Sequence, residues 1–116
     1  MKLLHVTIQT GRFDEELRFY EEVVGLQIVR DMRPHGRNMV FLANAEGETE
    51  IEIIENPDAN NTGNENLSIG FLTADVNAKR EELIAVGMTV SPMIHPNPQV
   101  HFFFVKDPAG VSVQFM

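Results

Sequence analysis

Residues 3–30 read LLHVTIQTGRFDEELRFYEEVVGLQIVR, and this stretch decides the fold. Leu4, Val6 and Ile8 alternate with His5, Thr7 and Gln9, the two-residue period of a strand that lays one face on a core. Gly11 turns the chain into DEELRFYEEVVG. There Asp14 is expected as the N-cap, Leu17, Tyr20 and Val24 share one helical face, and Gly25 stops the helix. LQIVRDMR then reads as a second strand. A strand, a helix and a strand follow one another with only short turns between them.

Working outward, RPHG is a turn, and NMVFLAN and TEIEIIE form a hairpin around Glu46 and Gly47. This first module takes residues 1–55. Residues 56–66, NPDANNTGNEN, are almost wholly polar and turn-forming, so they read as a linker. The second module, residues 67–116, restarts in the same order. LSIGFLT is a strand, NAKREELIAVG a helix ending at Gly87, and MTVSPMI a strand. HPNPQ is a loop, and VHFFFVK and VSVQFM are a hairpin around DPAG. The halves keep step: Ser68 stands 63 residues after His5, Gly87 62 after Gly25, Gly110 63 after Gly47, and Gln114 62 after Glu52. An internal duplication explains that constancy. The expected fold class is α+β, a single domain of two βαβββ modules.

Composition sets limits on function. The chain has 116 residues, enough for one domain, and its apolar fraction of 43% allows a true core. A net charge of −8 repels phosphate backbones and anionic lipid, so neither nucleic acid nor a membrane surface is an expected partner. With no cysteine, disulfides, thiolate metal sites and thiol nucleophiles are excluded. The opening MKLLHVTIQT is interrupted by His5 and lacks a small-residue cleavage site, so a cytoplasmic protein is expected.

Strand alternation sorts the polar residues by face. His5, Thr7 and Gln9 oppose the aliphatic side of the first strand, and Glu50 and Glu52 oppose Ile51 and Ile53. In the second half Ser68 and Gly70 oppose Leu67, Ile69 and Phe71, and Ser112 and Gln114 oppose Val111, Val113 and Phe115. A mid-strand carboxylate such as Glu52 needs water, a hydrogen-bond partner or a cation. A solvated sheet face and a ligand cavity both produce this pattern.

The residues quoted at the start resemble the opening of glyoxalase I and its relatives: a strand bearing His, a short turn, a helix with Phe-Tyr, and Gly-Leu into the next strand. FFFVKDPAGVSVQF, residues 102–115, resembles the closing hairpin of the same glyoxalase/bleomycin-resistance/dioxygenase (vicinal oxygen chelate) superfamily. The resemblance implies a curved mixed sheet around a cavity, with helices on the outer face. It also implies four divalent-metal positions on the concave face, here His5, Glu52, Ser68 and Gln114. The first two are family-type ligands. Relatives carry His where this chain has Ser68 and Glu where it has Gln114.

Those departures change the chemistry. Zn²⁺, Ni²⁺, Fe²⁺ or Mn²⁺ favour imidazole and carboxylate donors. The Gln114 amide offers one neutral oxygen, and the Ser68 hydroxyl is a poor ligand. In glyoxalase I the carboxylate at the Gln114 position is the base, and an amide cannot be that base. The expected metal donors are therefore His5, Glu52 and Gln114, with Glu52 as the catalytic carboxylate, and strict glyoxalase I activity is not expected. Thr7, Glu50, Ser68 and His101 are expected to line the cavity, Glu50 and His101 being possible substitute donors. His35 and His95 sit in the matching loops RPHG and HPNPQ, from which they could reach over the cavity mouth; an exposed or locally bonded role is the alternative. The resemblance leaves two functions: a metal-dependent lyase or isomerase acting on a small oxygen-rich molecule, and a metal-free protein that sequesters a small ligand. In either case a homodimer is implied.

Overall fold

The computed structural model describes residues 1–116. Its contacts group into two compact units, Met1–Asn61 and Thr62–Met116. The first runs β1 (His5–Thr10), α1 (Phe13–Arg18) extended by a π-helical turn (Phe19–Val24), β2 (Gln27–Asp31), β3 (Met39–Ala43) and β4 (Glu50–Glu55). The second runs β5 (Ser68–Phe71), α2 (Val76–Ala85), β6 (Ile94–Asn97), β7 (Val100–Lys106) and β8 (Ser112–Phe115).

Each unit builds one four-stranded mixed sheet, in the order β1-β4-β3-β2 and β5-β8-β7-β6 respectively. In both, the first and last strands pair in parallel and the remaining pairs are antiparallel. The expected α+β fold of two βαβββ modules is what forms. The duplication extends to register: Thr7 lies opposite Glu52 in one ladder, and Gly70 opposite Gln114 in the other.

The cores follow from the alternation. In the first unit Ile8, Val40, Leu42, Ile51 and Ile53 are buried together with Phe13, Leu17 and Tyr20 of the helix, which packs on β4. In the second, Phe103 stacks on Phe115 at 5.4 Å, with Val105, Val113 and Leu83 also buried. Burial of each such side chain contributes about 1.5–3 kcal/mol.

Three details differ from expectation. Asp14 is not the N-cap of α1: the helix begins at Phe13, and Arg12 at the cap position makes no side-chain cap bond. Instead the Thr10 hydroxyl accepts from the Arg12 N–H at 3.0 Å. Asp14, Glu15 and Glu16 occupy the first turn, where carboxylates complement the positive helix end. Second, the helix ends in a wide turn in which the Gly25 and Leu26 N–H groups both donate to the Tyr20 carbonyl, at 3.1 and 2.9 Å. Phe19 and Tyr20, adjacent in sequence, are both buried there, edge to face at 5.1 Å.

The third concerns MTVSPMI. Only Val90 bridges β7, at Val105, and the strand proper, β6, starts at Ile94, the last residue of that stretch, and runs into residues expected to be a loop. Pro92 has no N–H for a ladder, and the Ser91 hydroxyl takes the Phe104 N–H at 2.8 Å instead. Pro96 is tolerated because β6 is an edge strand.

Turn chemistry holds the element ends. The Asp75 carboxylate accepts from the Ala78 N–H at 2.9 Å and caps α2. Asp75→Ala is expected to cost about 0.5–2 kcal/mol, seen as a lower urea midpoint at unchanged slope; an unchanged midpoint would mean the cap contributes nothing. After β2, Arg33 clamps Asp31 through both carboxylate oxygens, and these side-chain bonds hold the Asp31 carboxyl down at about 2.

Candidate functional site

Parallel pairing of β1 with β4 brings the start of the chain beside the end of its own module. The register sets His5 opposite Glu50 and Thr7 opposite Glu52, and on β3 Phe41 lies opposite Glu52. Because the period is two, these residues share the face opposite Ile51 and Ile53. The His5 Nε2 stands 3.6 Å from Glu52 Oε1. That same oxygen accepts the Thr7 hydroxyl at 2.5 Å. Glu52 is only 8% exposed, so its charge needs these partners. The His5 ring meets Phe41 edge-on, with centroids 6.1 Å apart.

Glu50 is engaged differently. Its Oε1 accepts from Arg30 Nη2 at 2.8 Å, and the Arg30 guanidinium lies 3.9 Å above the Phe41 ring. Alternation along LQIVRDMR would put Ile28 and Arg30 on one face. The register instead slips between them, so that Ile28 pairs with Leu42 and Arg30 with Phe41. This bulge turns Arg30 to the face of His5 and Glu52. Sequence reading missed Arg30 because a one-residue irregularity inverts its face. The composition gave no cue, since no glycine marks the bulge.

The second unit presents a neutral counterpart. Gly70, Gln114 and Phe104 form the matching row, and Ser68 pairs with Ser112. Gly70 leaves room for the Gln114 side chain, since a Cβ at Gly70 would stand 3.1 Å from Gln114 Oε1. Where the first unit has a hydroxyl bonded to a carboxylate, this one has a glycine beside an amide. A shallow cleft of about 280 Å³ is lined by Ser68, Ser112 and Phe104 with Glu65, Asn66 and Leu67.

Three further histidines complete the chain's four. His101 lies on β7, three residues before Phe104. It stacks on His95 of β6 with centroids 5.6 Å apart and planes at 16°. His35 is exposed in a one-turn 3-10 helix after β2.

The matching family model, that of the Glyoxalase/Bleomycin resistance protein/Dioxygenase superfamily, covers residues 2–115. The chain belongs to this superfamily. Among its relatives is a lactoylglutathione lyase of Haemophilus influenzae, 27% identical over 124 residues that take in 100% of this chain and 92% of that protein. Two solved structures of the superfamily fold are similar at a TM-score of 0.75. One is the trypanothione-dependent glyoxalase I of Leishmania major, 22% identical, with 100% of this chain and 86% of that one covered. The other is an antibiotic-binding protein from a Streptomyces strain, 20% identical, with 99% and 93% covered. At such identities they show the fold alone.

Within the first unit the residues fit a divalent ion as a two-donor half-site. An imidazole nitrogen and a carboxylate oxygen 3.6 Å apart suit two ligands each about 2.0–2.2 Å from one ion. The Thr7 hydroxyl donates to that same Glu52 oxygen and fixes its position. Nothing plays that part for the imidazole: His5 Nδ1 is buried without a hydrogen-bond partner. No group of three His, Asp or Glu side chains is assembled for an ion. No helix is long and apolar enough to cross a membrane.

Proposed function

We propose that the chain is a glyoxalase-like enzyme of the lyase or isomerase type, acting on a small oxygen-rich molecule with a weakly held divalent ion. The observation that carries this reading is the His5–Glu52 pair, buried at one end, supported by Thr7 and set by the parallel register. His5 and Glu52 would hold the ion, with the Gln114 amide oxygen as the third donor from the degenerate half-site. Bound there, Zn²⁺, Ni²⁺, Fe²⁺ or Mn²⁺ would polarise adjacent substrate oxygens. Gln114 and Ser68 are unable to take a proton, so Glu52 is the group that moves it. The working form is a homodimer with two equivalent sites.

The second reading, a protein that sequesters its ligand without chemistry, is favoured by one feature: the row of Ser68, Ser112, Gly70 and Gln114 has no ionisable group.

Elemental analysis with calorimetric metal titration separates the two. Wild type should bind Zn²⁺ or Ni²⁺ weakly, and Glu52→Gln and His5→Ala should each lower that affinity by about tenfold or more. Affinity unchanged in both variants would end the metal-dependent reading and leave sequestration.

A further inference from the structure

The ion pair beside the proposed donors has a consequence for the donor count. Glu50 and Glu52 are two apart on β4 and share a face, and Glu50 is the ladder partner of His5. Neighbouring strands lie about 4.7–4.9 Å apart, so the Glu50 carboxylate is within side-chain reach of the space between His5 and Glu52. A set of one imidazole and two carboxylates would thus be available in this module alone. It is not assembled, and the Glu50 carboxylate is bonded to Arg30 instead.

We infer that Arg30 is a positioning residue that withholds the Glu50 carboxylate from the ion site of His5 and Glu52, keeping that site at one carboxylate. This rests on reading His5 and Glu52 as metal donors. Three observations support it. The Glu50 side chain is only 13% exposed, so its charge needs a partner at all times, and Arg30 supplies one at 2.8 Å. The guanidinium carbon also stands 3.9 Å from the centre of the Phe41 ring, a second contact that favours this placement of its donors. The bulge in β2 is what brings it to this face, and bulges commonly re-aim a side chain beside a site.

Withholding has chemical value. A second carboxylate would tighten the ion but neutralise more of its charge and fill a position that substrate oxygens need. Catalytic sites keep such a position open, whereas structural ones close it. The corresponding position in the second unit, Ser112, carries no charge to withhold. The latch therefore belongs to the first module only.

The test is a double-mutant cycle read by calorimetric titration of Zn²⁺ and Mn²⁺ into the full chain. Arg30→Met keeps an unbranched stem over Phe41 and removes the charge; Arg30→Gln is a second variant should the first fold poorly. Either should tighten binding by about tenfold or more, and adding Glu50→Gln should return affinity to the wild-type value. If affinity rises equally in the presence and absence of Glu50, loss of a nearby positive charge explains it, and the latch is refuted. If Arg30 variants match a wild type that does bind through His5, the latch fails while the donor reading stands. If the wild type binds nothing and Arg30→Met binds through Glu50, the latch stands and the wild-type metal reading fails. Binding by no protein in the set overturns both.

Discussion

A chain carrying Ser68→His together with Gln114→Glu is expected to bind Zn²⁺ or Ni²⁺ on the order of 10²-fold or more tightly than wild type. An imidazole replaces a hydroxyl that does not deprotonate at neutral pH, and a carboxylate replaces a neutral amide. Both positions lie on the polar face of their sheet, and Gly70 leaves the residue-114 side chain space beside it. Binding should release protons, because a ligating imidazole must be neutral. Titration in two buffers of different ionisation enthalpy measures affinity and proton release together. Tight binding already present in the wild type would refute the degenerate half-site. Failure of both proteins to bind would mean that the four positions do not share one ion.

The largest stability effect is expected at Gly63. Its φ of +65° lies in the left-handed region, and a Cβ built there would fall 2.0 Å from the Gly110 carbonyl oxygen and 2.9 Å from the Val111 nitrogen. The obstacle is backbone, which cannot rotate away as a flexible side chain does. Gly63→Ala should therefore cost about 2–5 kcal/mol, the sum of overpacking and left-handed strain. Gly47→Ala is the control. Its φ is +88°, but nothing lies within 4 Å of the added carbon, so only the conformational cost of about 1–2 kcal/mol applies. Equal urea midpoints for the two variants would show that the approach of residue 63 to Gly110 does not matter in solution.

Much of this was legible in the sequence, for a definable reason. The alternation in HVTIQT and EIEIIE is unbroken, so face assignments made by counting in twos hold, and His5 and Glu52 come within 3.6 Å. The glycines at 25 and 87 do stop their helices in the left-handed conformation. Counting failed where the period is interrupted. The slip at Ile28 and Arg30 moved Arg30 to the site face, and Pro92 displaced the strand expected over MTVSPMI. Asp14 does not cap the helix because the chain enters it one residue earlier, through a turn in which the Thr10 hydroxyl accepts the Arg12 N–H. That turn also involves Asn61, whose side-chain oxygen accepts the Thr10 hydroxyl at 2.6 Å, a contact no local window reveals.

The parallel pairing of β1 with β4 also bears on how the molecule comes to exist. Thr7 and Glu52 are 45 residues apart in the chain, and nearly the whole module lies between them. The β2–β3 and β3–β4 pairs join strands close in sequence and can zip from their turns. The ladder that creates the His5–Glu52 pair must instead close a long loop against chain entropy before any contact rewards it. The pair should thus be among the last features to form during folding. An ion could meet both donors only after the module is complete, so it would act as a seal on a finished fold rather than as its nucleus.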